Sequence, residues 1–238
     1  MDDVMKLIQK RHSTRALFNP KKVVSEENIQ KIIEAARWAP TAHNMQNFEI
    51  IVVDDKNVLK KLADIKSITS ENFIRENFLQ LSSSVEELKK KKVGILGAQF
   101  PPSWRDASKI DAAIKDLRPS PLSYTIKDSP SVLIVLYDTR KRAPASEGDV
   151  LGFLSLGCVM ENMWLASESL GVGFQIMSAF SSEGISDTIK QMLNIPKYMK
   201  IAFAVRLGYP TTSQNKYLRV RREVDDFTHH NIYMDKKS

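Results

Sequence analysis

The sequence predicts an α+β domain in which helices pack against a mixed central sheet. Three observations carry this reading. Ser131-Val132-Leu133-Ile134-Val135-Leu136-Tyr137 is continuously apolar and rich in β-branched residues, the pattern of a strand buried on both faces. Other short apolar runs alternate with segments whose apolar residues fall at helical spacing. Residues 152–170 leave almost no polar face, so this stretch reads as a helix covered on all sides, by its own domain, by a second subunit, or by both.

In chain order, the first helix is expected over residues 2–11. Val4, Met5, Leu7 and Ile8 share a face, and Asp2 and Asp3 sit in the first turn, where the helix dipole favours acids. Ser25 is a good N-cap for a second helix, with Ile29, Ile32, Ile33 and Ala36 on its inner face and Pro40 as its stop. Phe48 to Val53 reads as a strand, 57–65 as a helix, and 173–177 and 200–207 as two further strands. Between those two, Ile185, Ile189, Met192 and Leu193 form a helical set closed by Asn194 and Pro196. Residues 100–130 are irregular, with Pro101, Pro102, Pro119, Pro121 and Pro130 around Trp104 and Tyr124 and a short helix near 110–117. A loop this long is a lid or a structural excursion. No repeat or linker divides the chain, so one domain over 1–238 is expected, with a lid-like insert at 100–130 and a C-terminal arm at 211–238.

Composition narrows the classes. The chain has 238 residues, 42% of them hydrophobic and 26% charged, enough for a sizeable core. The single cysteine, Cys158, excludes an internal disulfide and a multi-thiolate zinc site, and fits a reducing cytoplasm. The N-terminus has no signal-peptide pattern, and no apolar run reads as a membrane span. The net charge of +7 could serve nucleic acid, but no nucleic-acid motif is present, and in Glu86-Glu87-Leu88-Lys89-Lys90-Lys91-Lys92 the acids precede the lysines at helix-pairing distance. Neither a nucleic-acid nor a membrane partner is expected. There is no Walker loop and no metalloprotease helix. Gly171-Val172-Gly173 reads as a helix end running into a strand rather than a dinucleotide fingerprint, Cys158 as core, and His229-His230 as a surface pair rather than a metal site. No metal is expected.

Two segments remain. Arg11-His12-Ser13-Thr14-Arg15 places two rigid guanidinium forks and two hydroxyls just past a helix, a combination suited to phosphate oxygens. A solvated helix end would look the same. Ala39-Pro40-Thr41-Ala42-His43-Asn44-Met45-Gln46-Asn47-Phe48 is a polar loop with two carboxamides, Asn44 and Gln46, which donate and accept in one plane and suit the edge of a flat heteroaromatic ring.

Together with Leu156-Gly157-Cys158-Val159-Met160-Glu161-Asn162-Met163-Trp164-Leu165-Ala166, with Leu170-Gly171-Val172-Gly173, with Leu207-Gly208-Tyr209-Pro210 and with Arg221-Arg222, these segments occur in an order that resembles the nitroreductase family of FMN-dependent oxidoreductases. A flavin mononucleotide carries both a phosphate and a flat ring edge. The resemblance implies a nitroreductase-like fold: a mixed, mainly antiparallel sheet flanked by helices, with a long buried interface helix. It also implies a homodimer with a site at the interface built from both chains, FMN as cofactor, and NADH or NADPH as reductant. The reduced nicotinamide would deliver hydride, leave, and be replaced by an electron-poor acceptor such as a nitroaromatic or quinone. Arg11, Ser13, Arg15 and Arg221 would hold the phosphate with His12 nearby. Pro40, Thr41, Asn44 and Gln46 would reach the flavin, and the backbone of Met177, Ser178 and Ala179 would meet its ring. No catalytic side chain is implied, because FMN carries the chemistry. Trp104 and Tyr124 are candidates for stacking on the acceptor. The departures are Asn47-Phe48 in place of the family's Pro-Trp, Thr41 in place of serine, and Ile176-Met177-Ser178-Ala179-Phe180 in place of its flavin loop. A specialised branch (a reductive dehalogenase or a flavin-destroying enzyme), a non-catalytic FMN-binding protein and a basic interaction module are the alternatives.

Overall fold

The computed structural model describes residues 2–66, 71–81, 85–90, 106–115, 126–182, 184–211 and 221–234. The chain divides into two compact units, Met1–Ser67 with Ser120–Gln214, and Ile68–Pro119 with Asn215–Ser238.

The first unit begins with α1 (Asp2–Lys10) and α2 (Glu26–Arg37). The Ser25 hydroxyl caps α2 by accepting the Asn28 N–H at 3.3 Å. The strands β1 (Phe48–Val53), β2 (Ser131–Asp138), β3 (Gly173–Ile176) and β4 (Met199–Gly208) hydrogen-bond in the order β1-β2-β4-β3. Every described strand pairing is antiparallel, so the mainly antiparallel sheet is found. Helices cover both faces, which is why β2 is buried at every position. On one face α2 and a long helix contribute Ile29, Ile32, Val159 and Met163 against Leu133, Val135, Val205 and Phe174. On the other, α3 (Lys56–Ala63) and the helix Ile185–Met192 supply Leu59, Leu62 and Ile189 against Val132, Ile134 and Ala204. The register shifts between Val135 and Leu136, which pair with Phe203 and Ile201 and leave Ala202 as the extra residue. That bulge turns β4 over: Ile201 packs on the second face and Phe203 on the first.

The second unit contains α4 (Glu71–Leu81), α5 (Val85–Lys90) and α6 (Ile110–Lys115). Arg75 links α4 to α6 through Asp111 at 3.3 Å. Trp104 and Tyr124 lie outside the described residues, so the lid expectation rests on sequence alone.

Chain order then gives α7 (Val150–Ser169) and α8 (Ile185–Met192). Helix α7 ends in a Schellman motif: Val172 N–H donates to Ser167 O and Gly171 N–H to Glu168 O, with Gly171 at φ +65°. The expected burial of α7 on all sides is not met within one chain. Gly152, Ser155, Leu156, Val159, Met163 and Ser167 face the core. Phe153 and Leu154 are each 61% exposed and Val150 57%. Met163, at 0%, points at the core of its own chain rather than outward. Helix α1 likewise exposes Val4, Met5 and Ile8. By length and composition residues 147–169 could cross a bilayer, which departs from the sequence reading. Here the helix packs on α2, and the Asn162 carboxamide donates to Ala35 O at 3.1 Å.

Candidate functional site

Past α1 the chain runs along the outer edge of β3. Thr14 N–H donates to Phe174 O at 2.8 Å, and Phe174 N–H donates to the Thr14 hydroxyl at 3.3 Å. A bridge between Phe18 and Pro210 continues the seating. Thr14 is buried, whereas Arg11, His12, Ser13 and Arg15 are half-buried around it. Three of the four residues predicted to hold a phosphate, Arg11, Ser13 and Arg15, therefore lie with His12 on one anchored segment. The Ser13 hydroxyl makes no hydrogen bond among the described residues.

Helix α7 supplies the wall behind this segment. The Arg11 guanidinium lies 4.4 Å from the Trp164 ring centre, and its Nε is 3.0 Å from Glu161 Oε1. Trp164 stacks in turn on Phe174 at 5.2 Å and donates its indole N–H to His12 O at 3.1 Å. His12 Nδ1 lies 3.5 Å from Glu168 Oε2 and 3.0 Å from Lys10 O. Glu161, Trp164 and Glu168 were not singled out from the sequence. Their spacing, three then four along an otherwise apolar helix, is a one-face stripe and was the available signal.

Arg206 was also missed. It stands in the middle of the apolar strand β4 with no solvent exposure. Its Nε donates to Gln175 Oε1 at 2.7 Å, and an Nη donates to Ala16 O at 2.8 Å and Thr14 O at 3.3 Å. Burial pulls its pKa down to about 10. An arginine inside a buried run must have buried partners, and that rule could have flagged it.

The carboxamide loop is strained. His43, Asn44 and Gln46 have φ of 50°, 51° and 44°. Left-handed backbone at non-glycine residues costs about 1–3 kcal/mol each and persists only where the surroundings impose it. Here Ala42 N–H donates to the Ser155 hydroxyl at 2.9 Å, Gln46 N–H to the Thr41 hydroxyl at 3.2 Å, and the Gln46 carboxamide to Asn44 Oδ1 at 3.2 Å. Pro40, Asn44 and Gln46 are exposed. The loop therefore leans on α7 at Ser155, and residues 11–15 lean on it at Trp164, about 14 Å further along at roughly 1.5 Å per residue. Within one chain these two groups stand apart.

At the far end of β3, Met177 N–H is already bonded to Ala204 O at 2.8 Å, and the Met177 side chain is buried. Of the three predicted ring contacts, only Ser178 and Ala179 offer N–H groups, as the opening of the 3₁₀ turn Ser178–Ser181. Arg221 is exposed and belongs to the second unit. His229 Nδ1 accepts the Met234 N–H at 3.1 Å, and the described residues contain no three-residue metal-ligand group.

Comparison with known proteins follows the same lines. The nitroreductase family model matches residues 8–209. An NADPH-dependent oxidoreductase of Staphylococcus haemolyticus (strain JCSC1435) is 22% identical over 232 residues, covering 98% of this chain and 74% of the relative. Among solved structures, a nitroreductase with bound FMN from Desulfitobacterium hafniense DCB-2 aligns at 20% identity and TM-score 0.57, covering 97% of this chain and 98% of that one. The FMN-dependent nitroreductase of Clostridium difficile R20291 aligns at 17% identity and TM-score 0.59, covering 96% and 99%. The chain belongs to the nitroreductase family.

Proposed function

We propose that this protein is an NAD(P)H-dependent FMN oxidoreductase that reduces electron-poor acceptors, such as nitroaromatics or quinones, in a ping-pong order. The observation that carries the reading is the seating of residues 11–15 on β3. Thr14, between Ser13 and Arg15, bonds Phe174 near its start, and the Ser178 N–H, with no partner among the described residues, lies four residues further along, about 13 Å away at roughly 3.3 Å per residue. That separation suits a phosphate joined to a planar ring by a sugar-alcohol chain.

The donor set fits FMN. Two guanidinium groups and an unbonded hydroxyl suit a phosphate dianion. Backbone N–H groups at a turn opening and coplanar carboxamides suit the heteroatoms of a ring edge. When bound, FMN supplies the hydride chemistry. Arg11, Ser13 and Arg15, with His12 nearby, hold the phosphate. Ser178 and Ala179 donate toward the ring. Pro40, Thr41, Asn44 and Gln46 present a rigid rim, because their loop is fixed before any ligand arrives.

A homodimer is part of this reading. The loop and the phosphate segment stand apart along α7 in one chain, while α7 and α1 expose Phe153, Leu154, Val4 and Met5. A second copy covering those residues would bring a loop to each phosphate segment. We place the protein in the cytoplasm, where one unpaired cysteine is at ease.

Anaerobic titration of the FMN-reconstituted protein with NADPH and NADH, followed by a nitroaromatic or quinone, tests the proposal. Bleaching of the flavin bands and their return with the acceptor are expected. A protein that retains no FMN overturns it. Retention without bleaching leaves a non-catalytic flavin binder instead.

A further inference from the structure

Arg206 is a fully buried cation with no place in the assignment above. Strand β4 is central in the sheet, Gln175 is the cross-strand partner of Arg206 on β3, and Thr14 and Ala16 lie on the segment beyond β3. The side chain therefore crosses β3 to reach the next chain segment. A strand spacing of about 4.8 Å leaves only a long side chain able to do this. Its guanidinium donates to Gln175 Oε1, Thr14 O and Ala16 O, and it lies 4.2 Å from the Phe18 ring centre. The two carbonyls belong to the residues immediately before and after Arg15.

We propose that Arg206 is a positioning residue for anion binding: by holding the carbonyls on either side of Arg15 it fixes the backbone that aims Arg15 and Ser13 at a phosphate. The inference rests on the FMN reading of the site. A rigid fork suits this task because several donors leave one plane in fixed directions, whereas an ammonium is a rotating point donor. Burial lowers the pKa of Arg206 to about 10, so the guanidinium remains charged at neutral pH.

The test uses two ligands that differ only in the phosphate. Wild type, Arg206→Met and Arg206→Lys are stripped of flavin and titrated with FMN and with riboflavin, binding being read from flavin fluorescence. Arg206→Met should raise the Kd for FMN about tenfold, the equivalent of one charge-assisted hydrogen bond. The Kd for riboflavin should stay within about twofold of wild type. Arg206→Lys keeps the cation and loses the fork, and should fall between the two for FMN. If Arg206→Met does not fold, the Lys variant carries the same comparison. Equal weakening toward both flavins would assign Arg206 to general stability and overturn the inference, as would an unchanged FMN affinity. Wild type that binds neither flavin removes the functional reading itself, an outcome distinct from failure of the positioning role alone.

Discussion

Replacing Gly208 with alanine tests how the phosphate segment is seated. A Cβ at position 208 would lie 2.6 Å from Cγ and Cδ2 of Phe18 and 2.8 Å from its Cβ. Phe18 is 1% exposed, with the Arg206 guanidinium 4.2 Å from its ring centre and its backbone bridged to Pro210. The clash is with the root of the side chain, so a rotamer change cannot relieve it and the 11–18 backbone must retreat. Overpacking of this kind costs about 1–3 kcal/mol. Gly208 is not among the positive-φ residues, so alanine adds no backbone strain and recovers about 0.4–1 kcal/mol by restricting the unfolded chain. The net loss should be about 1–2 kcal/mol, which lowers Tm by roughly 2–8 °C in a chain of this size. Thermal unfolding of Gly208→Ala, of Phe18→Ala and of the double variant forms the assay. Phe18→Ala removes Cγ and Cδ2 and leaves only the Cβ contact, so alanine at 208 should cost less in the Phe18→Ala background. An unchanged Tm, or the same loss with and without the ring, would refute this account of the packing.

Other outcomes follow from the same geometry. Leu154→Asp should lower the sedimenting mass while far-UV circular dichroism stays native, because Leu154 is exposed in the single chain; Met163→Asp, aimed into the core, should instead unfold the protein. An unaltered mass for Leu154→Asp at micromolar concentration would count against the dimer face. Glu161→Gln should tighten FMN binding by up to about fivefold, since the Arg11–Glu161 pair is partly exposed and such pairs are worth about 0.2–1 kcal/mol; weaker binding by fluorescence titration would show that Glu161 supports the site rather than competing for Arg11. Asp138 is held below the usual carboxylate range by the Arg140 fork, with Nε and Nη at 3.0 and 2.9 Å. Its contribution is therefore complete above the unfolded value near 3.9 and is lost as pH falls through the lower folded value. Asp138→Asn should flatten the acid limb of stability below about pH 4, read as Tm against pH, and an identical limb would sink the assignment.

The sequence by itself determined the elements and their nature. The buried strand at 131–137, the cap at Ser25, the stop at Pro40 and the glycine exit at Gly171 are local consequences of side-chain shape and backbone freedom, and the structure has them where the pattern puts them. The residues Arg11, Ser13, Arg15, Asn44 and Gln46 could be named from the sequence alone, because a phosphate and a ring edge each call for a small set of side chains; their roles are those proposed above. What faces what was decided by tertiary structure. Periodicity on α7 could not say which apolar residues meet the core, since nearly all are apolar. Only packing against α2 and β3 turned Met163 inward and left Phe153 and Leu154 outside. The bulge at Ala202 reversed the faces of β4 without any mark in its composition. Arg206 became intelligible only when the sheet placed β3 and then residues 14–16 beside it, because its partners are carbonyls nearly two hundred residues away, and a backbone carbonyl carries no signature in the sequence.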